Sequence, residues 1–225
     1  MRSADDTVDG EDVRRLVALA IGALRHGDPR LWEARAGTLE WTCWETYEHL
    51  AGCLFTYAAR FGLATPPASS FLPWREIRDR EDGPARVLAA DRSSGPDGLL
   101  AIVEACGGLL ASVARTADPA AVAHHVFGPA DPAGFAAMGV VETLVHTHDV
   151  AQGLRLEWSP PGDACERVLK RLFPHVTVDR DAWEALLWAT GRIALPDRPR
   201  LAEWRWYNER SGAGGEGRVQ GPGLG

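Results

Sequence analysis

The stretch 131–153, DPAGFAAMGVVETLVHTHDVAQG, predicts the helix around which the rest of the chain is organised. It opens with aspartate and proline, the pattern of a cap followed by the first helical position, and it closes with a glycine typical of helix ends. Within it, Glu142 and His146 are four residues apart, so their side chains project from one helix face about a turn apart. Such a pair can chelate one cation. A catalytic divalent ion also needs a third protein ligand and an open position.

Apolar residues recur at helical spacing in three earlier stretches, which predict helices over 11–27, 42–61 and 97–116. Thr42, followed three residues later by Glu45, is a capping-box pattern that marks the start of the second helix. The connection 64–98 is rich in proline and is interpreted as a loop with a short helix near 86–90. Four long helices with one long connection indicate an all-α fold, an antiparallel four-helix bundle of the kind that holds metal sites between facing helices.

The chain beyond the bundle has less regular periodicity. It predicts two extra C-terminal helices, over 163–173 and 179–193, and 201–208 is interpreted as a strand or a packed tail. The expected domain organisation has three parts: a metal-binding four-helix bundle over 1–160, an extension packed on it over 161–210, and a disordered glycine-rich tail over 211–225.

Composition argues against several classes of function. A net charge of −7 and a pI near 5.5 disfavour binding to nucleic acid or an anionic membrane, since both partners need concentrated Lys and Arg. No apolar stretch approaches the roughly 20 residues of a membrane span, and the acidic N-terminus is unlike a leader peptide. We therefore expect a cytoplasmic protein, either a monomer or a homodimer.

Its four cysteines are scattered without a CxxC pair, which favours reduced thiols over a zinc ribbon or disulfides.

A third ligand is available on the predicted second helix, where Glu45, His49 and Cys53 form a row at spacing four beside the apolar stripe. His49 is therefore placed to face the interior. With Glu142 and His146 it gives a His₂Glu set with an open position, a recognised arrangement for catalytic zinc, although other divalent metals could occupy it. Each element alone has a plainer interpretation, because a lone histidine is commonly hydrogen-bonded or exposed and Glu-x-x-x-His occurs on many helices.

Neighbouring residues are sorted by helix geometry. His148 lies about 200° around the helix from His146 and cannot share its ion. Asp149 falls on the metal-facing side, where it is a candidate catalytic, supporting or substrate-contacting residue, with a solvated charge as the alternative. Cys53 is either a fourth ligand or a buried structural thiol, and Arg192 is interpreted as structural.

Two segments resemble a known family. Residues 39–61, LEWTCWETYEHLAGCLFTYAARF, and 139–158, GVVETLVHTHDVAQGLRLEW, resemble the DinB-like superfamily, and within it the mycothiol-dependent maleylpyruvate isomerases. The resemblance covers about residues 10–160. It implies a four-helix bundle that binds a divalent metal through one histidine of the second helix and a Glu-x-x-x-His pair of a later helix. The positions that match are His49 for the first and Glu142 with His146 for the second.

The resemblance also implies a reaction. The metal, expected to be Zn²⁺, would activate mycothiol as a thiolate, which adds to a small electrophile; the outcome is cis–trans isomerisation or S-transfer. Isomerases of that family carry a separate C-terminal domain that contributes to the active site, whereas only residues 161–210 follow the bundle here. The electrophile is therefore left open. The alternative is a non-catalytic metal-binding or interaction module with the same fold.

Overall fold

The computed structural model describes residues 7–178 and 181–208, and the regular structure in these two ranges is helical. This confirms the predicted all-α class. The helices are α1 (Gly10–Leu24), α2 (Cys43–Arg60), α3 (Gly95–Thr116), α4 (Pro132–Leu154), α5 (Gly162–Leu172) and α6 (Ala182–Ala189), with 3-10 turns at Pro29–Glu33 and Arg92–Ser94. The predicted tail 211–225 lies outside the described residues.

Side-chain caps fix the starts of the long helices. Thr42 accepts a hydrogen bond from the Glu45 amide (3.1 Å), and the Glu45 carboxylate accepts one from the Thr42 amide (2.8 Å), which confirms the predicted capping box. Asp131 caps α4 by accepting from the Gly134 amide at 2.7 Å. Asp9 caps α1 in the same way, so this helix begins slightly earlier than its apolar pattern indicates.

The predicted role of Gly153 as the residue that ends α4 is wrong. The helix continues through Leu154, and Arg155 adopts the left-handed conformation, with φ of 61°. Gly153 instead permits close approach, because a Cβ at this position would overlap the Cys43 thiol and the Arg35 carbonyl. The glycine therefore sets the distance between α4 and the start of α2.

The contacts between the four long helices define their relative directions. Helix α1 is antiparallel to α3, because Gly10 faces Ala111 whereas Val17 faces Gly107. Helix α2 is antiparallel to α4: the Tyr47 hydroxyl lies 2.8 Å from that of Thr147 near one end, and the rings of Phe61 and Phe135 are 5.3 Å apart near the other.

Helices α1 and α4 run the same way, since Gly27 just beyond the end of α1 contacts Leu154 at the end of α4. It follows that α2 and α3, which also pack on each other, run in the same direction. Their connection, residues 61–94, must therefore return along the length of the helices rather than turn at one end.

The core lies between these four helices. Its largest buried side chains come from all of them and include Leu16, Tyr47, Leu54, Leu99, Leu110, Phe135 and Leu144. Gly107 permits a close approach of α1 and α3, because a Cβ there would press on Val17. Gly108 faces open space and has no such role.

The crossover, residues 61–94, packs along α2, and the helix predicted near 86–90 does not form. Arg86 instead exchanges two backbone hydrogen bonds with Ile77, at 2.8 and 3.0 Å. Its buried guanidinium pairs with Glu48 of α2 and with Asp79. Since Glu48 also accepts from the Ala90 amide at 2.9 Å, the segment is fixed by tertiary contacts that local periodicity does not encode.

The C-terminal extension packs on α4 through α5, and α6 packs on α5. Helix α6 is shorter than the predicted 179–193, because Asp181 caps its start and Gly191 has a positive φ of 69° just beyond its end. Residues 201–208 form a packed tail rather than a strand: the Tyr207 amide donates to the Leu172 carbonyl (2.8 Å), and Trp206 is buried.

One helical stretch among the described residues, Arg92–Thr116, is long and apolar enough to cross a membrane by length and composition, with a mean hydropathy of 1.6. The stretch includes α3, whose buried face packs on α1 and α2. Core helices of soluble proteins meet the same criterion. The fold is therefore compatible with a soluble protein.

Candidate metal centre

The predicted ligands lie in the interface between α2 and α4. The rings of His49 on α2 and His146 on α4 are 5.4 Å apart and nearly perpendicular. His146 Nε2 is 2.9 Å from Glu142 Oε2, and these two side chains are only 7% and 12% exposed. The antiparallel packing of the two helices thus brings together residues that are almost a hundred positions apart in the chain.

A tighter cluster includes Cys53. Potential ligand atoms of His49, Cys53 and Glu142 all lie within 4.8 Å of one another, close enough to hold one metal ion. The Cys53 sulfur is 3.4 Å from His49 Nε2. His146 adjoins this group through its contact with Glu142. The structure therefore places Cys53, which the sequence predicts as either a fourth ligand or a structural thiol, within the centre itself.

The hydrogen bond of His49 defines the protonation of its ring. Nδ1 lies 3.3 Å from the carbonyl oxygen of Ala85 in the crossover. A carbonyl only accepts, so Nδ1 carries the proton and the neutral ring presents the lone pair of Nε2 beside Cys53. Metal-binding histidines are commonly held in this way, with the distal nitrogen bonded to an acceptor outside the metal.

His146 repeats the arrangement from the opposite helix. Its Nδ1 is 3.3 Å from Asp149 Oδ2, while its Nε2 faces Glu142. Both imidazoles therefore direct Nδ1 outward to an oxygen acceptor and Nε2 inward. This shared orientation suits two histidines that bind a single ion between α2 and α4 through Nε2.

Asp149 is not a solvated charge. It is 1% exposed and lies between His146 and Arg192, whose Nη2 is 2.8 Å from Oδ2. These contacts suit a residue that orients His146, and its predicted catalytic role remains a prediction. Arg192 is placed by the C-terminal extension, where its guanidinium also stacks near Trp204.

Two further residues at this site were missed by sequence reasoning. The Tyr57 hydroxyl donates to Glu142 Oε1 at 3.2 Å. Tyr57 follows His49 and Cys53 at spacing four, so extension of that row would have found it. Trp41 packs its ring 5.0 Å from that of His49 and 6.3 Å from that of His146. It precedes α2, where no spacing rule identifies it.

Each charge at the centre changes the pKa of its neighbours. Burial opposes ionisation of Glu142, but the hydrogen bond and charge of His146 and the charge of His49 hold its pKa at about 2. Burial also disfavours protonated His146, yet its bonds to Asp149 and Glu142 raise the pKa above the usual value. A cation that binds here would compete with protonation of His146.

The other two groups are neutral when no cation is bound. Burial, followed by the charge of His146, lowers the pKa of His49. Burial, followed by the charge of Glu142, raises the pKa of the Cys53 thiol well above its usual value. Binding of a metal by Cys53 would therefore release a proton from a thiol that stays protonated otherwise.

The residues excluded from the centre by geometry are also located. His148 lies on another side of α4, with Nε2 2.8 Å from Gln152 Nε2 and its ring 5.6 Å from that of Trp183. The four cysteines are free thiols, as predicted.

Comparison of the chain with family models, curated proteins and solved structures found no match, so the function of this centre is argued from its geometry.

Proposed function

We propose that this protein is a DinB-like, mycothiol-dependent metalloenzyme that adds a thiol to an electrophilic small molecule. The proposal rests above all on the two inward-facing imidazoles, His49 and His146, which flank Glu142 between α2 and α4. The resemblance of the segments 39–61 and 139–158 to the DinB-like superfamily supports the same ligand set. An antiparallel α2–α4 pair within four packed helices suits this assignment.

The donor atoms fit a divalent metal. His49, Glu142 and His146 would hold it through nitrogen and oxygen, with the Cys53 sulfur close by, and Zn²⁺ accepts all three donor types. The bound cation would stabilise the thiolate form of a low-molecular-weight thiol at neutral pH.

The chain's own residues keep the ligands oriented and the site dry. Tyr57 bonds one oxygen of Glu142, and Asp149 fixes the ring of His146. The Trp41 ring lies against both histidines and covers that side of the site. The ligands therefore need little rearrangement on binding, which favours affinity.

The thiolate would attack an electrophilic carbon of the small molecule and form a carbon–sulfur bond. In an isomerase, attack on a conjugated cis double bond converts it to a single bond, rotation follows, and elimination of the thiolate restores the double bond as trans. In a transferase, protonation of the adduct gives the product. Both outcomes use the same thiol-binding site.

Metal analysis combined with mycothiol titration tests the proposal. We expect one divalent ion per chain, its loss in His49→Ala and His146→Ala, and mycothiol binding that depends on the ion. Thiol consumption across a panel of electrophiles then identifies the reaction. Stoichiometric metal in both alanine variants would refute the proposed ligand set.

The position of Cys53 favours one second candidate, a structural metal site. If the Cys53 thiolate joined His49, Glu142 and His146, the four protein ligands would close the coordination shell, as in structural zinc sites. Absorption spectra of the Co²⁺-substituted protein without mycothiol discriminate the two. A sulfur-to-cobalt charge-transfer band that disappears in Cys53→Ser, together with no mycothiol affinity, would support the structural site.

A further inference from the structure

The second histidine of the His-Thr-His segment lines a cleft on a side of α4 that does not face the metal centre. His148 is half-buried there. The cleft has a volume of about 380 Å³, which lies within the range of small-molecule pockets. One wall is α4 itself, and the other is the chain that turns back after the helix. The residues that line it include His148, Gln152, Leu156, Glu157, Trp158 and Ser159.

The ring of His148 is held in one orientation. The side-chain nitrogen of Gln152, one helical turn later, donates to His148 Nε2 at 2.8 Å. The ring of Trp183 packs nearly perpendicular to the imidazole, with the centroids 5.6 Å apart. Gln152 is itself confined, because its Oε1 lies so near Gly37 that a Cβ there would be 2.7 Å away. Since an amide nitrogen only donates, His148 Nε2 accepts and Nδ1 carries the proton of the neutral ring.

Two polar groups of the cleft have no partner in the described parts of the chain. The Nδ1–H of His148 meets no acceptor within residues 7–178 and 181–208. The carboxylate of Glu157, which is exposed, forms neither an ion pair nor a hydrogen bond within the same ranges. The cleft therefore offers one donor and one charged acceptor, and the Ser159 hydroxyl can serve as either.

An indole provides the apolar surface beside these groups. Trp158 is half-buried, and its Nε1 donates to the Leu144 carbonyl at 3.1 Å, which fixes the ring against α4. Because the polar edge of the indole is satisfied in this way, the ring contributes apolar surface to the cleft. Leu156 extends that surface.

We propose that this cleft binds a neutral sugar, a ring whose neighbouring hydroxyl groups both donate and accept hydrogen bonds. One hydroxyl accepts from the Nδ1–H of His148, another donates to Glu157, and the carbon-bound hydrogens of the ring pack on Trp158. The carboxylate disfavours an anion. An organic cation would pair with Glu157 but leave the donor of His148 unmatched, which lowers affinity.

NMR titration of the isotope-labelled protein with glucose, galactose and mannose, in metal-free and Zn²⁺-loaded form, tests the site. We expect at least one hexose to shift the side-chain resonances of His148 and Trp158 in both forms. Glu157→Gln, which keeps an acceptor but loses the charge, should weaken binding about tenfold. His148→Phe, which keeps a ring against Trp183 but loses the donor, should weaken it about fivefold. Glu104→Gln, at an exposed position of α3, is the matched control.

Absence of a shift with any hexose would overturn the proposal, as would equal affinity in the parent and both variants or equal weakening in Glu104→Gln. Tetramethylammonium is the probe for an organic cation, and its binding without binding of a hexose would overturn the sugar assignment. Binding that required Zn²⁺ would place the sugar at the metal centre and overturn the proposed cleft.

Thermal unfolding establishes whether His148→Phe is folded, and Glu157→Gln, a change at an exposed residue, keeps the test valid if it is not. The titration uses neither a thiol nor an electrophile. Its result is therefore independent of the proposed function.

Discussion

The guanidinium of Arg192 donates two hydrogen bonds to the buried carboxylate of Asp149, from Nη2 to Oδ2 at 2.8 Å and from Nε to Oδ1 at 3.4 Å. Asp149 in turn bonds Nδ1 of His146. Since Arg192 follows α6, the C-terminal extension reaches the proposed metal centre through a chain of two contacts. The extension therefore supports the orientation of a ligand that lies on α4.

Loss of this support is expected to weaken metal binding. Asp149→Asn removes the charge that holds His146, and we expect a fall of about 10-fold to 100-fold in Zn²⁺ affinity, as for other residues that orient a ligand. Arg192→Met should have a smaller effect in the same direction. Competition with a chelating dye measures both. Arg25→Met is the control, and an affinity equal to the parent's in Asp149→Asn would contradict the role assigned to the carboxylate.

The hydroxyl of Tyr57 is expected to strengthen the binding of Zn²⁺ through its hydrogen bond to Glu142. Tyr57→Phe removes one hydrogen bond to Oε1, and a loss of about 1 kcal/mol corresponds to roughly a fivefold weaker Zn²⁺ affinity. Tyr207→Phe, at a more exposed position of the C-terminal tail, is the matched control. If both variants bind Zn²⁺ equally well, the hydrogen bond from Tyr57 to Glu142 does not contribute to the affinity for Zn²⁺.

Stability is expected to depend on pH through His125. Burial, followed by the charge of Arg60, lowers its pKa to about 4, and its Nδ1 accepts a hydrogen bond from the Phe127 amide (3.2 Å). Between pH 4 and the unfolded value of 6.5, the unfolded chain binds more protons than the folded one. The contribution of neutral His125 to the free energy of unfolding is therefore complete above pH 6.5 and is lost as the pH falls towards 4.

Urea unfolding of the parent and of His125→Gln at several pH values measures this contribution. The free energy of unfolding should rise by about 3 kcal/mol more in the parent than in the variant between pH 4 and 6.5. His26→Gln, at an exposed position, should behave as the parent does. Parallel pH profiles for the parent and His125→Gln would show instead that the ring has the same pKa in the folded and the unfolded protein.

Two glycines on different helices provide a matched test of packing. Gly153→Ala should destabilise the protein by about 1–3 kcal/mol, because its methyl group would overlap the Cys43 sulfur and the Arg35 carbonyl. Gly108→Ala should be neutral or stabilise α3 by up to about 1 kcal/mol, since the added methyl group meets open space. Chemical denaturation compares them, and similar effects for both would contradict the packing described here.

The four long helices could be predicted because their signals are local. Caps such as Thr42 with Glu45 and the apolar periodicity depend only on nearby residues, and they place the helix starts within a few positions. The spacing of Glu142 and His146 is local in the same sense. It therefore predicts a chelating pair without knowledge of the third ligand.

The supporting contacts could not be predicted because they join distant segments without periodic patterns. Ala85 contributes only a carbonyl oxygen to His49, a group that every residue carries. The partner of Asp149 is 43 positions away in a turn after α6. The helix predicted near 86–90 is absent for a related reason. The buried pair of Arg86 with Glu48, and not helix propensity, determines the path of the crossover.

The shared direction of α2 and α3 has a consequence for how the protein could diversify. A connection between two helices that run the same way cannot shrink to a tight turn, so a long segment is retained whatever its sequence. That segment carries Ala85, which touches His49, and Phe71, which touches Arg60. Exchange of crossover residues could therefore change the surroundings of His49 and Arg60 while the helix pairs, with Glu142 and His146 on α4, are inherited intact.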